Sequence, residues 1–144
     1  MSADEIKKID MLFVVKRTRI LGIAILTGMT LVYLIGIFVS SQNVNEELAF
    51  VNLYSFIFCV ALCAVSLLLK RMLFAKVNQK NFAAQYFNAH VLPFALCDLG
   101  GLICIMSNLF VNSNLVYATA GFVITAAVMI LNFPKNDDYS RIGL

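Results

Sequence analysis

From residue 20 onward the chain alternates long apolar runs with short polar links. A helix rising about 1.5 Å per residue needs about 20 largely apolar residues to cross a bilayer. Four runs reach that length, over about 20–39, 48–69, 91–110 and 115–133. The links are SSQNVNEE, the stretch RMLFAKVNQKNFAAQYFNAH, and VNSN. The pattern predicts an all-α polytopic membrane protein, with residues 1–144 forming a single four-helix transmembrane domain.

The flanks carry weaker signals. Ser2 and Glu5 have capping-box spacing, in which hydroxyl and carboxylate each satisfy an open backbone donor. Ile6, Ile9, Leu12 and Phe13 recur at helical spacing with lysines between them, which predicts a short N-terminal amphipathic helix on the membrane surface. The alternative is a plain cytoplasmic extension of span one. Residues 71–90 contain no Gly or Pro. They are expected to extend spans two and three, with a tight bend near Asn78 to Asn81. Phe82, Tyr86, Phe87 and His90 are expected at headgroup depth, where amphipathic aromatics collect, as a loop suited to a partner. Pro93 fits the first turn of span three or a kink there, and Pro134 ends span four. The first apolar run exceeds the roughly 7–15 residues of a signal-peptide core, so it is expected to be retained as a span.

Composition agrees with the pattern. Hydrophobic residues make up 61% of the 144 positions and charged residues 13%, against about 25% charged in soluble domains. The charge distribution adds an orientation. Lys7, Lys8, Lys16, Arg17 and Arg19 precede span one. Lys70, Arg71, Lys76 and Lys80 lie between spans two and three, and Lys135 and Arg141 follow span four. All eleven basic residues therefore share one side, which the positive-inside rule makes cytoplasmic, together with both termini. The expected location is the inner (cytoplasmic) membrane of a bacterial cell. The net charge of +3 follows from this bias and signals no nucleic-acid partner.

Asp98 is the one formal charge inside a span. Insertion scales place an Asp at a helix centre near +2.5 to 3.5 kcal/mol, and a carboxyl in low dielectric favours its neutral form. It lies eight residues past His90, or about 12 Å along the axis. It is expected to face inward, bonded to Ser66, Thr27, Tyr33 or Thr125, and it is the candidate proton- or ion-binding group. Cys97, Gly101, Cys104 and Asn108 form a small, polar stripe on span three, and Asn52, Cys59, Cys63 and Ser66 form another on span two. Small residues let helix backbones approach, and thiols and amides bond across, so the two stripes are expected to face each other. Ala24 with Gly28 and Gly121 with Thr125 are further small-xxx-small pairs. Four thiolates could in principle bind a metal, but buried cysteines in hydrocarbon behave as small hydrophobes. No metal or cofactor is expected. No CxxC pair, nucleotide loop, catalytic triad or paired carboxylate is present, so the chain gives no set of groups on which to expect an enzyme.

The stretches FALCDLGGL, NLFVNSNL and NFPKNDDYSRIGL resemble a loosely defined family of small four-helix bacterial membrane proteins, with Asp98 where that family usually has glutamate. Its members have no settled function, and some are labelled as similar to the proteolipid subunit of rotary ATPases. That label implies a proton-binding acid. Spans one, two and four carry no glycine repeat of the kind such subunits use to pack in rings. NAHVLPF has Asn88 but lacks the Arg and Glu partners of a membrane glutathione transferase. The expected function is a non-catalytic membrane subunit or assembly component of a larger complex, in contact with lipid and with other subunits or further copies of itself. The alternative is a proton- or ion-coupled transport element using Asp98.

Overall fold

The computed structural model describes residues 3–40, 48–78, 81–111, 113–135 and 138. Among them there are four long helices: α1 (Ala3–Val39), α2 (Ala49–Phe74), α3 (Phe82–Met106) and α4 (Leu115–Asn132). A π-helical turn, Ser107–Val111, prolongs α3. The segments Met11–Val39, Ala49–Phe74, Phe82–Val111 and Leu115–Asn132 are each long and apolar enough to cross a membrane. The outward residues are large and apolar, among them Phe38, Val116, Leu68 and Ile130. That is how a bundle solvated by acyl chains presents itself, so this is a multi-pass membrane protein.

Two boundaries differ from expectation. No separate interfacial helix precedes span one, because α1 runs unbroken from Ala3. The charges at Lys16, Arg17 and Arg19 lower the hydropathy there, but residues 3–21 contain no Gly or Pro to break the helix. Met11 and Val15 instead bury against Phe82 and Tyr86, with Phe74 and Val77 beside them. The proposed cap on Ser2 lies outside the described residues. Span three likewise starts at Phe82 rather than near Val91, which places Pro93 in the helix interior, fully buried.

The helix α3 is the centre of the bundle and packs on α1, α2 and α4, whereas α1 packs on α3 and α4. Close approach is set by small residues. A Cβ on Gly22 would lie 2.9 Å from the Phe94 ring, and one on Gly101 would lie 2.8 Å from both Met29 and Thr125. Gly36 is packed in the same way under Leu109. The constant offset of 72–73 residues between these partners shows that α1 and α3 run parallel in register. Tyr33 ties α1 to α4, stacking on Phe122 at 4.5 Å and bonding Thr119 at 2.7 Å.

The connections fit their residues. Asn78 bends the α2–α3 link by accepting from the Asn81 amide at 3.0 Å while its own amide donates to Gln85 at 2.8 Å. Between α3 and α4, Ser113 takes φ 50°, a left-handed conformation that a short polar residue tolerates better than a branched one. Asn114 then caps α4 by accepting from the Tyr117 amide at 3.2 Å.

Candidate functional site

A file of polar side chains runs through the middle of the bundle. At its Lys/Arg-poor end, Asn108 donates to the Cys104 carbonyl at 2.8 Å and to the Ser55 hydroxyl at 2.9 Å. Four buried thiols follow, Cys104 and Cys97 from α3 and Cys59 and Cys63 from α2. Thr125 on α4 meets Cys59 at 3.2 Å and Cys63 at 3.8 Å. Ser66 donates to the Cys63 carbonyl at 2.7 Å, lies 3.0 Å from Cys97, and accepts from Asn132 at 3.3 Å. The predicted stripe residues Asn52, Cys59, Cys63, Ser66, Cys97, Gly101, Cys104 and Asn108 are all buried. The spacing explains this: steps of three, four and seven keep them on the two facing sides of α2 and α3.

The chemistry of this file is neutral. Its members are thiols, hydroxyls and carboxamides, and the four cysteines are free. Among the described residues no group of three or more His, Cys, Asp or Glu is arranged to hold a metal ion. Such groups hydrogen-bond helices together where water is absent, at about 0.6 kcal/mol per contact and up to about 1.7.

A second cluster closes the Lys/Arg-rich end. Asp138, in the segment after Pro134, accepts from the Tyr86 hydroxyl at 3.1 Å and from the Lys135 amide at 2.9 Å. The His90 ring lies beside Tyr86, tilted by 39° with centroids 4.4 Å apart. Its Nδ1 lies 3.0 Å from the Tyr86 carbonyl, which can only accept, so Nδ1 carries a proton. In the neutral ring Nε2 is then an acceptor, and it faces the Asp138 carboxylate at 3.8 Å without a hydrogen bond. A proton added there would turn this contact into an ion pair. Arg19 reaches across to the Pro134 carbonyl at 3.2 Å and pins the start of the same segment.

Asp98 belongs to neither cluster. It is half-buried and makes no hydrogen bond or ion pair with any described residue. The partners expected for it are engaged or turned elsewhere: Ser66 and Thr125 lie on the polar file, Tyr33 bonds Thr119, and Thr27 is exposed. A step of four residues turns a helix about 40° past a full circle. Phe94 and Gly101 meet α1, so Asp98 lies on the flank of α3 between that contact and the exposed Ala95 and Leu99.

The expected headgroup loop is also corrected. Phe82, Tyr86 and His90 are buried, and only Phe87 of the four is exposed, at 38%. Met11 and Val15 of the extended α1 cover Phe82 and Tyr86, while Phe74 and Asp138 flank His90. Sequence reasoning missed Asn132, Asp138 and Ser55. Their partners are 66, 52 and 53 residues away in sequence, so no local spacing marks them. No family model, no curated protein and no solved structure matches this chain.

Proposed function

We propose that this chain is a non-catalytic integral subunit, or assembly component, of a larger complex in the cytoplasmic membrane, with its termini in the cytoplasm. The observation that carries this is Asp98, a carboxyl on the membrane-facing flank with no partner among the described residues. Left there it costs about 2.5–3.5 kcal/mol, and a donor from a neighbouring chain removes that cost. The register of α1 against α3 brings Gly28 within about one turn of its level, and a Cβ on Gly28 would meet nothing within 4 Å. Ala24 and Gly28 therefore offer an open, small-residue face beside the acid, to which another helix could come close. The neutral polar file supports a structural role, since its bonds are spent on holding α2, α3 and α4 together.

The second reading is a proton- or ion-coupled element with Asp98 as the titrating group. It is supported by the same acid and by the resemblance to proteins labelled as proteolipid-like. Because Asp98 lies off the polar file, the proton would have to come from a partner, so this reading also requires an assembly.

The test is extraction in mild detergent of wild type, Asp98→Asn and Asp98→Leu, followed by identification of bound protein. Wild type and Asp98→Asn, which keeps a hydrogen-bonding side chain, are expected to hold a partner, and Asp98→Leu to release it. A wild-type chain that runs alone refutes the subunit reading. Loss of cellular function in an Asp98→Asn variant that still assembles would select the proton-coupled reading.

A further inference from the structure

We propose that the cleft between the C-terminal ends of α2 and α4 holds the phosphodiester headgroup of an anionic glycerophospholipid. The cleft is about 530 Å³ in volume, and Lys70, Arg71 and Lys135 line it. Asp138 is the one carboxylate on its wall among the described residues, and it is already engaged by Tyr86 and the Lys135 amide. Among the described residues the cleft therefore carries an excess of positive charge. Lys70 is only partly exposed, and its ammonium donates to the Leu131 carbonyl at 3.4 Å. No carboxylate among the described residues lies within ion-pair distance of it. A partly desolvated ammonium with a neutral acceptor and no described carboxylate in ion-pair contact suits an anion.

Two features select a lipid over a free anion. Its depth is the first: α2 ends at Phe74 and α4 at Asn132, so the cations sit where the apolar spans stop, at headgroup level. The second is the wall. Leu67 lies one turn deeper than Lys70, and Leu131 is 60% exposed beside it, which gives acyl chains an apolar surface below the charge. Basic pockets between spans at this end are where anionic headgroups bind. Asn132 adds a preference within the class. Its side chain is fully buried, lines the cleft, and leaves Oδ1 without a donor. A hydroxylated headgroup such as glycerol supplies that donor.

The inference does not depend on the subunit reading and is tested on the isolated full chain. The delipidated protein is heated with phosphatidylglycerol, with phosphatidylcholine of the same chain length, or with inorganic phosphate. Phosphatidylglycerol is expected to raise the melting temperature saturably, and the other two are not. Lys70→Gln and Lys135→Gln should each weaken half-saturation about fivefold, equivalent to about 1 kcal/mol per basic residue. Lys70→Arg should retain binding, which guards against a folding defect at this position. Lys76→Gln, exposed at the same end but outside the cleft, should stay within about twofold. Equal protection by phosphatidylcholine overturns the proposal, as does equal protection by phosphate. A loss in Lys76→Gln as large as in Lys70→Gln overturns it too, by making the effect one of general basic charge.

Discussion

Of the described glycines, Gly121, where α4 crosses α3, leaves the least room for a Cβ, and this makes a quantitative prediction. A Cβ added to Gly121 would collide with the Cys104 sulfur and stand 3.2 Å from the Cys104 Cβ. Cys104 is fully buried, and its sulfur lies 3.5 Å from Asn108 and 3.6 Å from the Tyr117 carbonyl. It has little room to swing away, so Gly121→Ala must part the helices. Overpacking of this kind costs about 1–3 kcal/mol, offset by up to about 1 kcal/mol because alanine favours the helix. Cys104→Ala alone removes one sulfur and its weak bonds, at about 1 kcal/mol, near the low end for trimming a core residue. The double variant removes the colliding atom, so its loss should be smaller than the sum by about 1–2 kcal/mol. Unfolding in mixed micelles, followed by far-UV circular dichroism because the chain has no tryptophan, gives all three values. Gly28→Ala, whose new Cβ meets open space, is the control and should be neutral or slightly stabilising. Additivity within about 0.5 kcal/mol would refute the packing argument.

Other variants probe the polar groups. Asn108→Leu removes bonds to Ser55 and to the Cys104 carbonyl and should destabilise the bundle by about 1 kcal/mol in the same unfolding assay. Tyr86→Phe keeps the aromatic stacking and loses the bond to Asp138. Backbone amides after Pro134 should then exchange hydrogen about fivefold faster, equivalent to about 1 kcal/mol, with little change in α3. Asp98→Leu in the isolated chain should be no less stable than wild type, since no described residue partners the carboxyl. A clear destabilisation would reveal an internal bond to Asp98.

Much of the architecture can be read from the chain, because bilayer thickness imposes a length that hydropathy displays directly. The facing stripes are legible for a similar reason: residues such as Cys97, Gly101, Cys104 and Asn108 are separated by whole helical turns. Helix beginnings are less legible. Lys16, Arg17 and Arg19 reduce hydropathy without breaking the backbone, as do Gln85, Asn88 and His90, so α1 and α3 run further than their apolar runs. The side on which Asp98 lies is lost for a finer reason. About 40° of rotation separates an inward residue from a flank residue, and sequence spacing alone does not say where the neighbouring helix ends. Asp138 is the extreme case, since its role depends on contacts with Tyr86 and His90, far from it in sequence.

The subunit reading is tested most directly by the intact mass of the particle released from native membrane into lipid nanodiscs without detergent. The protein part of the particle is expected to exceed the 16.0 kDa of one chain, through a second protein or further copies. A return to the single-chain mass is expected in Asp98→Leu. A wild-type particle containing one chain and lipid alone would contradict it.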